Sequence, residues 1–264
     1  MSNPLLSVIT VSYNSAQTIA KTLDSLREQT CRDFESIVID GNSTDGTQEI
    51  VQSYDDLITQ FVSESDKGIY DAMNKGIDLA RGKYISFLNS DDRYPNHTIQ
   101  TILDIDSDGD ILYGNMIKER KLNGKIYTRK VKPDLSSMEQ TMSVFHPSIF
   151  VRRELFNQLG KFSLKYSLAA DYHWVLKAYL QGIRFEYIDS PLAIFSVGGV
   201  SNFTCASYKE AAEIQKELGL PHEAMLNQHL HCKRKMIRNR LISRIARLPI
   251  LKTIYENRIK KNWS

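Results

Sequence analysis

The chain has 264 residues, 42% hydrophobic and 25% charged, enough to bury a full core as one large domain or a domain with an extension. This composition excludes a disordered chain, and no stretch reaches the apolar length that spans a bilayer. The net charge of +3 hides an asymmetry: Lys233 to Lys261 hold eleven Lys or Arg and one acid, Glu256, a net of +10 that leaves −7 for the remainder.

Met1-Ser2-Asn3-Pro4 leads straight into a strand over Leu5–Val11, which reads as a start without a secretion signal. Asn14-Ser15 then cap a helix whose Ile19, Leu23 and Leu26 share a face. The run Ser36–Ile39 is a second strand. Ser43 or Asp45 caps the next helix, which carries Ile50 and Val51. Phe61-Val62 is a short third strand, and a helix from Ile69 precedes the strand Tyr84–Leu88. Such alternation over the first 115 residues argues for a βαβ sheet of the nucleotide-binding kind. Beyond Gly114 the pattern loosens. Asn123-Gly124 marks a hairpin turn inside the charged segment Lys118–Lys132. A helix over Tyr172–Leu180, a strand over Arg184–Ile188 and helix from about Ser207 complete the reading. Cys31, Cys205 and Cys232 lack paired spacing, which predicts reduced thiols in a cytosolic protein and no cysteine zinc site.

Chemistry gathers where apolar runs stop. One ends at Asp40-Gly41-Asn42-Ser43-Thr44-Asp45-Gly46-Thr47 and another at Asn89-Ser90-Asp91-Asp92. Ligands of open α/β sheets bind at the carboxyl ends of such strands, and adjacent carboxylates suit a divalent cation with a phosphorylated ligand. On the helix from Ile69, the predicted buried stripe is Ile69, Met73 and Ile77. Asp71, Asn74, Lys75 and Asp78 fall on another face.

Four segments occur in order: Thr10-Val11-Ser12-Tyr13-Asn14, Asp40 to Thr47, Ser65-Asp66-Lys67-Gly68-Ile69-Tyr70-Asp71-Ala72-Met73-Asn74-Lys75-Gly76, and Phe87-Leu88-Asn89-Ser90-Asp91-Asp92. Together they resemble the motifs of inverting family-2 glycosyltransferases with the GT-A fold, especially bacterial enzymes of O-antigen, capsule and exopolysaccharide assembly, the colanic-acid type among them. The resemblance spans roughly residues 5–200. It implies an α/β, GT-A-type nucleotide-diphospho-sugar transferase fold, a Rossmann-like and mostly parallel sheet flanked by helices. Residues 1–205 would form the catalytic domain, with a donor half to 115 and an acceptor half from 116. Residues 206–264 would be a basic helical extension.

Carried over residue by residue, the resemblance gives Thr10 and Asp40 the nucleotide base. Asp40 would accept from the N3–H of uracil or thymine, although guanine also presents donors. Ser12, Tyr13, Asn14, Ser43, Asp45 and Ser90 would complete the donor site, together with Asp66, Lys67, Gly68, Asp71, Asn74 and Lys75. Asp91 would face the ribose or sugar, and Asp92 would hold Mn²⁺ or Mg²⁺ on the diphosphate. Ser90 fills the first place of the family's DxD-like triplet. Asp171 corresponds to the catalytic base, against a plain helix N-cap as the alternative. His146 and Trp174 are candidates for acceptor or diphosphate contacts, and Gly198-Gly199-Val200-Ser201 for a lid.

The implied activity is a metal-dependent inverting transfer from a nucleotide-diphosphate sugar, with a UDP-sugar favoured, to a lipid-linked saccharide in surface polysaccharide or lipopolysaccharide synthesis. In the tail, Ile237, Leu241, Ile245 and Leu248 make an apolar stripe among basic residues. That pattern suits the inner face of the cytoplasmic membrane, with packing on the body or on a second copy of the chain as the alternative. Nucleic acid is disfavoured by the acidic body. A sugar nucleotidyltransferase is disfavoured because Val8–Asn14 lacks glycine. A non-catalytic sugar-nucleotide binder is disfavoured by the joint presence of Asp92 and Asp171.

Overall fold

The computed structural model describes residues 4–105, 109–122, 124–197 and 205–245, with side chains described as far as Met236. The expected lid at Gly198–Ser201 lies outside the described residues, as do the side chains of the apolar stripe from Ile237 to Leu248, whose residues up to Ile245 continue the last helix.

The first 115 residues alternate as the sequence predicts. In chain order it comprises β1 (Leu6–Ser12), α1 (Ile19–Arg27), β2 (Phe34–Asp40), α2 (Thr47–Gln52), β3 (Gln60–Ser63), α3 (Ile69–Leu79), β4 (Tyr84–Phe87) and α4 (Thr98–Leu103). There follow β5 (Ile111–Leu122), β6 (Lys125–Val131), β7 (Ile149–Arg152), α5 (Glu154–Leu159), α6 (Ala170–Leu180), β8 (Phe185–Ser196), α7 (Cys205–Glu217) and α8 (Glu223–Ile245). The sheet runs β3-β2-β1-β4-β7-β5-β6, with β8 paired to β5. Strands β1 to β4 are mutually parallel, and β7 enters antiparallel between β4 and β5. Because β1 has β2 on one side and β4 on the other, the chain reverses direction there and opens a crevice at the carboxyl ends.

Helices cover both faces, which is why the central strands are apolar at nearly every position. Ile9, Val11, Ile37, Ile39, Ile85 and Phe87 pack against α3 and α6. On the other face Leu6, Val8, Tyr84, Leu112 and Phe150 pack with Leu26, Tyr94 and Ile99. Helix α3 lies close on the sheet. A Cβ at Gly76 would come within 2.5 Å of Ile9 Cγ2, so only glycine permits that approach.

Several expectations need correction. Ile69 is 38% exposed, and Tyr70 and Ala72 join Met73 and Ile77 on the buried face instead. Gly68, at φ +113°, lets the chain enter α3 rotated, so that Tyr70 turns inward toward α6. Asn14 and Ser15 do not cap α1 with their side chains; the Ser15 carbonyl closes a turn with Thr18 and Ile19, and the Ser15 hydroxyl meets Ser90. Asp45 does hold the start of α2, accepting from the Thr47 amide and hydroxyl. The hairpin forms as expected, Leu122 pairing Lys125.

The reduced-thiol expectation fails for two of the three cysteines. Cys205 and Cys232 form a disulfide with Cα atoms 5.5 Å apart, and Cys31 stays free. Sequence spacing could not show this, because the pairing depends on α7 and α8 folding back on each other around Gly219 (φ +75°). Ala211, Ala212 and Ile214 of α7 and Met225 of α8 belong to the main core, so the extension begins as an integral part of the body. Among the described residues no helix is long and apolar enough to cross a membrane.

Candidate active site

The sheet edge at the β1 switch point carries the acidic loops, and their hydrogen bonds separate frame from open groups. Asp40 is fully buried. Its Oδ1 accepts from the Ser12 and Ser43 hydroxyls and its Oδ2 from the Ser43 amide and the Ser63 hydroxyl. A carboxylate offers about four acceptor sites, so Asp40 is saturated and braces the loop. Thr10 is likewise closed off: its side chain is buried between sheet and helix, its hydroxyl without a hydrogen-bond partner. Both side chains are buried in this arrangement.

An open carboxylate stands nearby. Asp66 Oδ1 accepts from the Gly68 amide, while Oδ2 lies over Gly41, where an added Cβ would sit 2.6 Å from it. The same Cβ would be 3.2 Å from the Tyr13 ring, which is 66% exposed. Asp66, Gly41 and Tyr13 thus form one accessible corner with an acidic oxygen and an aromatic face.

The remaining donor candidates mostly shape this corner. The Asn14 amide donates to Ser43 Oγ, and its side chain accepts from the Thr44 amide in a left-handed turn (φ 48°). Asp45 also takes the Ala16 amide, and the Thr47 hydroxyl leads the groups that hold its carboxyl below the usual range. Asp71 Oδ2 accepts from the Lys67 amide. Lys75 is drawn to Glu64 at 2.8 Å, to Asp71 at 3.7 Å and to the Ser65 carbonyl, which uses its charge to hold the 64–68 turn. Asn74 is a clamp, both ends of its amide bonded to the Phe162 backbone, and so does not face the cleft. The Lys67 side chain is exposed at the rim.

Beyond β4, Ser90 meets Ser15 at 2.7 Å and Asp91 is half-buried. Asp92 is fully buried; Oδ1 accepts from the Ser196 amide at 3.2 Å, but Oδ2 is buried without a partner. Burial, and then the charge of Asp91, push the Asp92 carboxyl well above the usual carboxylate range. Burial raises Asp91 too. Two crowded carboxyls and an orphaned buried oxygen fit a divalent cation chemically. No cluster of three His, Cys, Asp or Glu side chains occurs among the described residues, so phosphate oxygens of a ligand would have to complete the shell.

Asp171 sits in the first turn of α6. Its Oδ1 accepts from the Tyr70 hydroxyl at 2.8 Å and from the Tyr172 amide at 2.9 Å, and Oδ2 accepts no hydrogen bond from the described residues. It is not the N-cap. The carboxylate of Glu210 on α7 takes the Ser167, Leu168 and Ala169 amides and so fixes the segment that leads into α6. Burial, reinforced by the charge of Asp171, raises the Tyr70 phenol well above its ordinary pKa and keeps it a donor. His146 stacks on Phe87, with ring centroids 5.3 Å apart, and meets Phe162 edge-on. Its Nε2 is buried without a partner, and burial lowers its pKa against the pull of Asp171.

Trp174 does not reach the cleft. It is 2% exposed, stacks on Phe156 and donates to the Gly160 carbonyl, so the expected acceptor contact is replaced by core packing. Sequence reading passed over Tyr70 and Glu210. Tyr70 lay within a recognised segment but was not assigned a role. Glu210, 39 residues after Asp171, gave no local signal.

A mostly parallel sheet flanked by helices is the architecture of a GT-A sugar transferase. Residues 7–171 match the family described as Glycosyl transferase family 2, and the chain belongs to that family. It is accordingly a transferase. A Mycobacterium tuberculosis PGL/p-HBAD biosynthesis glycosyltransferase is 31% identical over 214 residues, 76% of this chain and 81% of that protein. Bacillus subtilis TuaG, named for teichuronic acid biosynthesis, is 38% identical over 104 residues, 38% of this chain and 41% of that one. The fold is shared with S. aureus TarS in complex with UDP-GlcNAc: TM-score 0.64, 23% identity, 79% of this chain and 65% of that one. It is shared too with the mannosyltransferase PcManGT from Pyrobaculum calidifontis, in complex with GDP-Man and Mn2+: TM-score 0.60, 22% identity, 90% of this chain and 65% of that one.

Proposed function

We propose that the protein is an inverting, divalent-cation-dependent glycosyltransferase that moves one sugar from a UDP-sugar to a lipid-linked saccharide in surface polysaccharide assembly. The observation that carries this reading is the presence of two acidic centres on different elements of the fold. Asp91-Asp92 lies at the carboxyl edge of β4, and Asp171, tied to α3 through Tyr70, projects from α6 on the acceptor side. One centre suits a diphosphate and the other suits a hydroxyl about to attack.

Direct displacement inverts the anomeric centre and needs a base on the face opposite the leaving group. Asp171 Oδ2 takes the acceptor's hydroxyl proton as the new bond forms, while Tyr70 holds Oδ1. Asp92, with Asp91 beside it, would hold Mn²⁺ or Mg²⁺, which supplies compensation for charge on the departing diphosphate. Lys67 at the rim adds a second cation to that side. Asp66 Oδ2 is the acceptor for the N3–H of the base, and Tyr13 offers its ring as a stacking face. TarS with UDP-GlcNAc and PcManGT with GDP-Man and Mn2+ support a nucleotide-sugar donor and a cation. The relatives named for PGL/p-HBAD and teichuronic acid biosynthesis support a surface-glycan role.

The test is a donor screen with Mn²⁺ and a synthetic lipid-diphosphate saccharide, followed by the anomeric configuration of the product. A β-linked product from an α-linked UDP-sugar is expected. A retained configuration, or donor hydrolysis alone with every acceptor, would refute the reading.

A further inference from the structure

The charged segment Lys118–Lys132 was read only as a hairpin, and its chemistry is unused by the site described above. It carries seven Lys or Arg and a single acid, Glu119. With the tail at +10 and this segment at +6, the rest of a chain of net charge +3 carries −13. A net-acidic body thus presents two separate basic elements.

Pairing register sorts the hairpin into faces. Opposite residues of an antiparallel ladder share a face, and alternate residues along a strand return to it. Lys118 pairs Arg129, Arg120 pairs Tyr127, and Leu122 pairs Lys125. One face therefore bears four cations, a tyrosine and a leucine, and no acid. Glu119 lies on the opposite face, where it meets Arg93 at 2.6 Å. Lys118 also sits over the Phe145 ring, and burial, then Arg129, lower its pKa.

The hairpin also has a direction. Strand β5 is antiparallel to β7, and β7 to β4, so β5 leaves the sheet at the same edge as Asp91-Asp92. Its pairing with β8 ends at Glu119–Ser196, and the Ser196 amide reaches Asp92. From Arg120 to Tyr127 the described strands pair only within the hairpin. At this projecting tip Ile126 is 61% exposed and shares the Glu119 face with Lys121 opposite it. Its neighbour Lys125 belongs to the cationic face, so the tip carries basic groups on both sides of the isoleucine. An apolar tip flanked by long basic side chains fits the boundary between headgroups and acyl chains, where lysines snorkel toward phosphate.

We infer that the β5–β6 hairpin docks the protein on an anionic lipid surface and so brings the edge carrying Asp92 against that surface. Charge complementarity selects an anionic partner, and the exposed isoleucine selects a bilayer over a nucleic acid, whose phosphates gain nothing from it. The strongly acidic remainder also opposes the wrapping of a polyanion. This inference extends the lipid-linked acceptor proposed above, but vesicle binding is read without turnover, so either can fail while the other stands.

The test uses the full chain and co-sedimentation with phosphatidylcholine vesicles, with and without phosphatidylglycerol. Wild type should bind only the anionic vesicles. The K118Q/R120Q/K125Q/R129Q variant should lose at least roughly tenfold in affinity, because each basic group near such a surface contributes substantially. Ile126→Ser, at an exposed position, should weaken binding severalfold, and it keeps the test decisive if the fourfold variant fails to melt cooperatively. Unchanged vesicle affinity in the variants overturns the inference, as does equal wild-type binding to neutral vesicles. Tighter hairpin-dependent retention of a single-stranded RNA would also overturn it.

Discussion

The Tyr70 hydroxyl donates to Asp171 Oδ1 at 2.8 Å across a separation of 101 residues. It joins α3, the helix of the donor half, to α6, the helix that carries the candidate base. Tyr70→Phe removes this one bond and little volume. Transfer should fall about tenfold in kcat, with the melting transition lowered by about 1 kcal/mol or less. Steady-state kinetics beside thermal unfolding check this; a large stability loss with unchanged kcat would make the bond purely structural.

Asp92 combines full burial with an unpartnered oxygen and the neighbouring charge of Asp91. Asp92→Asn relieves that crowding. Thermal stability should hold or rise, while transfer falls at least about 10³-fold, a loss typical of removing a main stabiliser of developing charge. In the same variant, Mn²⁺ should no longer raise the melting temperature. A variant still stabilised by Mn²⁺ would place the cation elsewhere.

Two aspartates of the donor side should behave in opposite ways. Asp66→Ala should leave folding intact and weaken UDP about tenfold by calorimetry, the scale of one charge-assisted hydrogen bond. Asp40→Asn turns one acceptor oxygen into a donor, breaks two of the four buried hydrogen bonds and should cost about 2–4 kcal/mol of stability. If Asp40→Asn melts like wild type but loses UDP, Asp40 is the base reader after all.

Glu35 is 2% exposed at the start of β2 and bonds the Ser7 hydroxyl, the Arg81 amide and guanidinium, and the Gly82 amide. Burial opposes its ionisation, but the Ser7 hydroxyl and the Arg81 groups outweigh it, so its pKa lies below the ordinary 4.5. A depressed folded pKa means stability present above about pH 4.5 and lost as the pH falls through the folded value. Wild type should therefore lose stability in this acid window. Glu35→Gln should be less stable at pH 7 by about 2–3 kcal/mol and flatter below pH 4.5. Parallel pH-dependent melts measure both.

The alternating strands and helices before residue 115 were legible because two-sided burial makes β1, β2 and β4 nearly continuous apolar runs. The acid-ended loops were legible because turn residues follow those runs directly. What each acid does was not legible. Asp40 and Asp66 look equally available in sequence, and only the hydroxyls of Ser12, Ser43 and Ser63 show which one is spent. Trp174 and Asn74 point away from the cleft because Gly160 and Phe162 hold them from a distant loop. The Glu210 contacts and the Cys205–Cys232 bridge depend on how α7 and α8 return to the body, which no local pattern encodes.

The central claim is that Asp171 removes the acceptor's proton while the donor is held by separate groups. It is tested most directly by single-turnover transfer in wild type and Asp171→Asn at saturating donor. The account predicts a loss of at least about 10³-fold in the chemical step, the scale of a lost general base, with UDP affinity within about twofold of wild type. Transfer by Asp171→Asn within about tenfold of wild type would contradict it.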